Sequence, residues 1–255
     1  MRILRVAWRG ARLAWVTVLA VSELVLRDVA AAGRADAAER RLVDRRRVMR
    51  RWCAAVCRAL AVQVEVRGEP PREACLLVCN HLGYIDIPVL GAHAHTIFVS
   101  KAEVADWPVV GRLATRGDTI YVERAAKRKL PSVNEQIRAA LLRGDGVVVF
   151  PEGTSSAGDE VQPFRAALLA PAEELGLAVR AAGLAYSTGP GDPPARESVA
   201  WWGGMEFAPH VLGLMQLREI RAVLSFAERP VRGASRKELA QTLREVVSDA
   251  IRSPA

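Results

Sequence analysis

Two short segments of this chain, Ala74-Cys-Leu-Leu-Val-Cys79 and Val147-Val-Val-Phe150, are apolar without interruption. Each breaks straight into a polar cluster: Asn80-His-Leu-Gly-Tyr-Ile-Asp86 after the first and Pro151-Glu-Gly-Thr-Ser-Ser156 after the second. A strand with one wet face alternates apolar and polar residues, whereas an unbroken apolar run this short belongs to a strand covered on both faces. Such strands need helices above and below them, which confines the chain to an α/β architecture. The sequence beyond residue 60 supplies the partners. Val62–Val66, Thr96–Ser100, Thr119–Val122, Ala178–Tyr186, a segment near Ser198–Trp202 and Glu219–Phe226 read as further strands. Helices are expected from Asp86, around Trp107–Thr115, over Ser132–Leu142, Phe164–Leu175 and Pro209–Met215, and from Ser235. Ser132 followed by Glu135 has the spacing of a capping box. The alternation predicts a central mixed, largely parallel sheet covered by helices on both faces, in one α/β domain over 61–255. Residues 187–196 (STGPGDPPAR) are its one clear irregular connection.

Charge divides the chain differently. With 51% apolar and 25% charged residues it cannot be a disordered protein. The net charge of +8 is concentrated at one end: residues 1–60 hold 14 arginines against five acids, and the remainder holds 22 basic residues against 23 acidic ones. Leu13–Leu26 is apolar apart from Thr17, Ser22 and Glu23 and follows Arg2, Arg5, Arg9 and Arg12. As a helix those 14 residues span roughly 21 Å, short of the ~30 Å hydrocarbon core of a bilayer. Ala30–Ala32 can imitate a signal-peptide cleavage site. Asp36–Leu60 reads as a helix bearing Arg40, Arg41, Arg45, Arg46, Arg47, Arg50 and Arg51, with Leu42, Val43, Met49, Trp52, Val56 and Leu60 broadly on one side. A basic, Trp-bearing amphipathic helix suits an anionic membrane surface; a solvated arginine face on a helix packed against the core is the alternative. Nucleic acid is disfavoured, because no aromatic residues are interleaved with the charge and no DNA-binding motif is present. Residues 1–60 are thus expected to form basic membrane-associating helices. Cys53/Cys57 and Cys75/Cys79 are spaced C-x-x-x-C, which is neither a redox nor a zinc spacing, and read as buried small hydrophobes in a reducing compartment.

Active groups in an α/β sheet gather at the carboxyl ends of strands, where both polar clusters lie. On one continuous helix His81 and Asp86 would stand about 140° apart. With His81 on the turn and Asp86 opening the next helix, the two can meet, giving an imidazole oriented by a carboxylate and able to deprotonate a hydroxyl. Spacing alone equally permits Asp86 to cap the helix and His81 to be a polar turn residue. No G-x-S-x-G elbow, P-loop or G-x-G-x-x-G occurs, and His93 and His95 have no neighbours suited to a metal. With no serine or cysteine nucleophile in view, the hydroxyl belongs to a substrate. Phe150–Ser156 offers backbone N–H groups and hydroxyls in a tight turn, suited to an anionic oxygen. Between the clusters, Gly117-Asp-Thr-Ile-Tyr-Val-Glu-Arg124 delivers Arg124 to a strand end, as a ligand or as a solvated charge.

Together, Asn80-His81-(four residues)-Asp86, the Gly117–Arg124 stretch and Phe150-Pro-Glu-Gly-Thr154 resemble blocks one to three of the glycerolipid acyltransferases of the 1-acylglycerol-3-phosphate acyltransferase type. The resemblance covers roughly residues 60–215, and the basic N-terminal helices resemble that family's two-helix membrane-docking element. It implies that His81, in the HX4D motif, deprotonates the acceptor hydroxyl, which attacks the thioester of acyl-CoA or acyl carrier protein, and that Asp86 orients His81. It implies acceptor-binding roles for Arg124, Glu152, Gly153 and Thr154, and for Lys101 at the end of Val99-Ser-Lys101. No metal or cofactor is implied beyond the thioester donor. Three departures stand out. Ser155 occupies the position of a usual arginine in block three, Ala181 that of a usual proline in the fourth block, and Trp201-Trp-Gly-Gly-Met205 lacks the acid of a common Trp-Tyr-Gly-Asp-Met stretch.

The expected activity is acyl transfer to a lysolipid, 1-acylglycerol-3-phosphate in the first place, on the cytoplasmic face of the inner membrane. A lyso-ornithine lipid is the alternative acceptor, since the site is one cation short. A catalytically idle lipid-binding member is disfavoured by the presence of both His81 and Asp86.

Overall fold

The computed structural model describes residues 2–107, 109–123, 128 and 130–252. Two long helices come first, α1 (Arg2–Ala31) and α2 (Ala37–Leu60). Then follow β1 (Val62–Arg67), β2 (Leu76–Cys79), α3 (Asp86–His93), β3 (Thr96–Lys101), α4 (Val110–Arg116), β4 (Ile120–Val122), α5 (Leu130–Leu142) and β5 (Gly146–Val149). The chain closes with α6 (Ala170–Glu174), β6 (Arg180–Thr188), α7 (Ala195–Ser198), α8 (Phe207–Leu214), β7 (Ile220–Phe226) and α9 (Arg236–Arg252). The strands form one seven-stranded sheet in the order β1-β7-β6-β2-β5-β3-β4. Every neighbouring pair is parallel except β6 and β7, which run antiparallel from Ala182↔Phe226 to Thr188↔Ile220. The sheet is therefore mixed and largely parallel, with an N-terminal helical pair, as expected.

The two uninterrupted apolar runs become the central strands β2 and β5, and all four residues of each are buried. Successive side chains of a strand point to opposite faces, and here each face meets its own core. Leu77, Cys79, Val148 and Phe150 join Val56, Cys57, Leu60, Val89, Leu90 and Leu214 beneath α2, α3 and α8. Leu76, Val78, Val147 and Val149 join Val133, Ile137, Leu169, Leu243 and Val247 beneath α5, α6 and α9. Truncating a fully buried leucine such as Leu77 to alanine costs about 2–5 kcal/mol. Helix α3 can lie close on α2 because Gly91 has no side chain; a Cβ there would sit 2.6 Å from Cys53 Sγ. All four cysteines are buried and free, and burial pushes their thiols up, to about 11 for Cys75.

Several local expectations are corrected. No strand forms near Ser198–Trp202: Pro193–Pro194 lead into α7, and the Trp201 N–H donates to the Leu82 carbonyl at 2.8 Å instead of joining the sheet. Helix α5 starts two residues ahead of Ser132, with Pro131 in its first turn where the missing N–H costs nothing. Glu135 pairs there with Arg138, so the capping box is not formed. At α9 the Glu238 N–H donates to Oγ of Ser235, which precedes the helix, and Glu238 Oε2 accepts from the N–H of Ala234, one residue earlier. The span 164–175 is a 3-10 turn (Ala166–Leu169) followed by the short α6.

The arginines of α2 are also only partly a surface. Arg46, Arg50, Cys53 and Cys57 recur at helical spacing, and that face turns inward. Buried Asp145, just before β5, accepts from Arg45 at 2.8 Å, Arg46 at 3.0 Å and Arg143 at 2.7 Å. Arg45 also reaches Asp118, and Arg50 reaches the Ala92 carbonyl. These arginines fasten α2 to the rim of the sheet opposite the carboxyl ends of the strands. Arg9, likewise buried, donates to the carbonyls of Met215, Leu217 and Arg218 just past the end of α8, which ties α1 to the sheet domain.

Candidate active site

Strand β2 is followed by Asn80, whose side chain continues the sheet where the backbone leaves it. Asn80 Nδ2 donates to the Leu184 carbonyl and Oδ1 accepts the Leu184 N–H, both at 2.8 Å. An amide offers one donor and one acceptor group on adjacent atoms, so it can stand in for a peptide unit. The next residue, His81, is thereby released into the turn at the carboxyl edge. Its Nδ1 lies 2.7 Å from Asp86 Oδ2, and the spacing-based pairing is realised.

Asp86 opens α3 and is completely buried. Its Oδ2 also accepts the N–H groups of Leu82 at 2.7 Å and Gly83 at 3.0 Å, and its Oδ1 accepts the Tyr186 hydroxyl at 2.9 Å. A carboxylate already surrounded by donors can only accept, so His81 Nδ1 carries the proton and Nε2 presents its lone pair. The imidazole is stacked on Phe150, with ring centroids 4.2 Å apart and planes 18° from parallel, and its side chain is 14% exposed. Asp86 thus closes the turn and holds His81, but it does not cap α3: the N-cap position is Ile85, and no side chain bonds the first turn of the helix.

The second polar cluster grips the same residue by its backbone. Glu152 is 3% exposed, and its Oε1 accepts the His81 N–H at 2.7 Å while Oε2 accepts the Gln162 N–H at 3.2 Å. The Ser156 N–H donates to the His81 carbonyl at 2.9 Å. Burial pushes the Glu152 carboxyl up to about 7, against the pull of the two backbone N–H groups. Gly153 turns the chain at φ +73°, a conformation that favours glycine, and Thr154 is exposed beside it. Ser155 Oγ donates to the Trp201 carbonyl. Since the Trp201 N–H is bonded to Leu82, this loop bridges the two clusters. Lys101, at the end of β3, holds its ammonium 5.4 Å from the centre of the Trp201 ring, which places it on the same side of the sheet. Tyr84, in the His81–Asp86 turn, donates to His210 Nδ1 at 2.9 Å, and His210 Nε2 donates to the Ala200 carbonyl at 3.0 Å.

The structure therefore gathers His81, Asp86, Lys101, Glu152, Gly153 and Thr154 at one edge, while Arg124 lies outside the described residues. Sequence reasoning missed Tyr186, Gln162, the Phe150 stack and the bracing contacts of Asn80 and Glu152. Trp201 was visible as part of a recognisable stretch; the others carry no signal until β2, β5 and β6 are paired. No group of three or more His, Cys, Asp or Glu able to hold a metal occurs among the described residues.

With this geometry in hand, comparison with known proteins is direct. The acyltransferase family profile matches residues 62–184, the segment that holds both clusters. A lyso-ornithine lipid O-acyltransferase of Pseudomonas aeruginosa is 35% identical over 80% of this chain and 78% of its own length. A 1-acyl-sn-glycerol-3-phosphate acyltransferase of Neisseria meningitidis is 30% identical over 76% of this chain and 78% of its own length. The crystal structure of the 1-acyl-sn-glycerophosphate acyltransferase PlsC from Thermotoga maritima superposes with a TM-score of 0.69 over the whole of both chains, at 18% identity, and so shares the fold. By sequence, sheet and site alike, the chain belongs to the glycerolipid acyltransferase family.

Proposed function

We propose that this protein moves an acyl chain from an acyl thioester to the free hydroxyl of a lysolipid, with His81 as general base. The observation that carries the proposal is the Nδ1–Asp86 hydrogen bond at 2.7 Å, which leaves Nε2 free to accept a proton. The acceptor hydroxyl gives its proton to Nε2 as its oxygen bonds to the thioester carbonyl carbon. Collapse of the tetrahedral adduct breaks the C–S bond, and the proton passes from Nε2 to the departing thiolate. Asp86 holds the ring and stabilises the transient imidazolium, and no covalent enzyme intermediate is required. The donor is acyl-CoA or acyl carrier protein.

For the acceptor, lyso-ornithine lipid is favoured over 1-acylglycerol-3-phosphate. A phosphate monoester carries close to two negative charges at neutral pH, whereas ornithine joined through its α-amine presents one carboxylate and one ammonium. Block three here contributes Ser155, engaged with the Trp201 carbonyl, where a second cation would serve a phosphate. Relatives from Brucella abortus (37% identical over 71% of this chain) and Pseudomonas aeruginosa carry the lyso-ornithine name.

Acceptor and donor are proposed to meet at a membrane surface, and the outward face of α1 supports this more than the arginines of α2. Ile3, Leu4, Trp8, Trp15, Leu26 and Val29 are exposed, Trp8 and Trp15 at 64% each. From Ile3 to Ala30 the exposed positions carry a single charge, Arg12. That stripe is about 40 Å long at 1.5 Å per residue, and such a face suits insertion among lipid headgroups. No helix among the described residues is long and apolar enough to cross a membrane.

Purified protein incubated with acyl-CoA or acyl carrier protein and each lysolipid in turn, with the lipid product read by mass, tests the proposal. A product heavier than lyso-ornithine lipid by one acyl chain is expected. Acylation of 1-acylglycerol-3-phosphate alone would overturn the acceptor choice, and no acylated product from any acceptor would overturn the activity.

A further inference from the structure

Block three lacks its usual arginine, yet a guanidinium stands over the same turn from a different place in the sequence. Segment 161–165 folds back onto the block: the Gln162 N–H donates to Glu152 Oε2 at 3.2 Å and the Arg165 N–H donates to the Pro151 carbonyl at 2.8 Å. With its backbone anchored there, the Arg165 side chain runs across Gly153. A Cβ built on Gly153 would lie 3.0 Å from both Cζ and Nε of Arg165 and 3.1 Å from its Cδ. The guanidinium thus rests against a backbone position that only glycine leaves open, one residue beyond the Glu152 whose carboxylate holds the His81 N–H. Arg165 is exposed. Among the described residues its guanidinium has no ion-pair or hydrogen-bonding partner, whereas Asp145 alone takes three arginines on the opposite rim. A fork of N–H donors, fixed at its base and free at its tip, matches the geometry of a carboxylate or a phosphate.

We infer that Arg165 binds the anionic group of the acceptor headgroup and so replaces the cation missing at Ser155. This assignment rests on the acyltransferase reading above. It moves the recognising charge to the far side of the Gly153 turn, where it meets a headgroup approaching His81 over block three. The shared chemistry is an oxyanion; whether that oxyanion is an ornithine carboxylate or a glycerol phosphate is decided by the acceptor.

Steady-state kinetics of wild type, Arg165→Ala and Arg165→Lys, with lyso-ornithine lipid and 1-acylglycerol-3-phosphate as separate acceptors, test it. A hydrogen bond to a charged group is worth about ten- to hundredfold in affinity. Arg165→Ala is expected to raise the KM of the acceptor that wild type uses by that factor, with kcat within about threefold and an unchanged melting temperature. Arg165→Lys, which keeps the charge and loses the fork, is expected to recover part of the loss. The KM for acyl-CoA at saturating acceptor should not move. An acceptor KM for Arg165→Ala within twofold of wild type overturns the assignment and leaves the acyltransferase reading standing. A rise in the acyl-CoA KM instead of the acceptor KM assigns Arg165 to the donor's phosphates and likewise overturns it. A wild-type protein that acylates neither acceptor overturns both.

Discussion

Replacing Tyr186 by phenylalanine separates the two duties of Asp86. Three donors converge on Asp86 Oδ2, namely His81 Nδ1 and the N–H groups of Leu82 and Gly83, while Tyr186 alone serves Oδ1. Phenylalanine keeps the ring and its packing on β6, so no cavity larger than one oxygen is created. What is lost is a buried hydrogen bond to a charged group, worth about 1.5–3 kcal/mol. Asp86 is fully buried, so bulk solvent cannot replace the donor. For a chain of this size the loss corresponds to a fall in melting temperature of about 3–12 °C. The orientation of His81 depends on Oδ2 and is untouched, so kcat of the folded protein should fall by less than about tenfold. Urea unfolding together with CoA release at saturating acceptor checks both halves. A Tyr186→Phe protein as stable as wild type would show that the hydroxyl does not support Asp86. A hundredfold loss of kcat at unchanged stability would place Tyr186 in the chemistry, contrary to this geometry.

Three further outcomes are expected. Because burial pushes Glu152 up to about 7 from 4.5, the folded state holds its proton more tightly than the unfolded chain does. Its contribution to stability is therefore fully present below pH 4.5 and lost as pH rises towards 7, by about 3 kcal/mol at most, a tenfold difference in proton affinity being worth about 1.4 kcal/mol. Unfolding free energies across that window should fall more steeply for wild type than for Glu152→Gln, and parallel curves would refute it. Removing the partner of three arginines by Asp145→Ala should cost about 3–5 kcal/mol while kcat and KM of the folded fraction stay within twofold, since that rim faces away from His81; altered kinetics would contradict the placement. Trp8 and Trp15 each expose most of a ring of about 150–250 Å², and sinking half of it into a headgroup layer at ~25 cal/mol per Å² gives about 2 kcal/mol. Trp8→Ser or Trp15→Ser should then lower partitioning into anionic vesicles by about thirtyfold, and undiminished co-sedimentation would remove α1 from the membrane contact.

The sequence exposes those parts of the fold that are local or strongly patterned. Leu76–Cys79 and Gly146–Val149 are buried on both faces as their unbroken apolarity requires, and the α2 span is recovered to within a residue. Contacts that depend on strand order are invisible beforehand. Tyr186 meets Asp86 only because β6 lies beside β2, and the antiparallel turn of β7 against β6 follows from where the chain returns rather than from its own residues. Arginines on α2 looked like a surface because charge is usually solvated; the buried Asp145 that receives them is a hundred residues away in sequence. Ser198–Trp202 has strand-like residues, but a hydrogen bond to the His81 turn holds it out of the sheet. The dyad itself was visible as a spacing, and its four-donor cradle was not.

Acyl transfer by His81→Ala tests the proton-transfer mechanism most directly, measured as product formed per folded molecule with the acceptor that wild type prefers. A positioned base accounts for about 10²–10⁴-fold in rate. The variant should lose at least that range of activity while keeping its melting temperature to within a few degrees and its binding to vesicles. Purified His81→Ala that still transfers acyl chains within tenfold of wild type would mean that the imidazole held by Asp86 is not where the acceptor's proton goes.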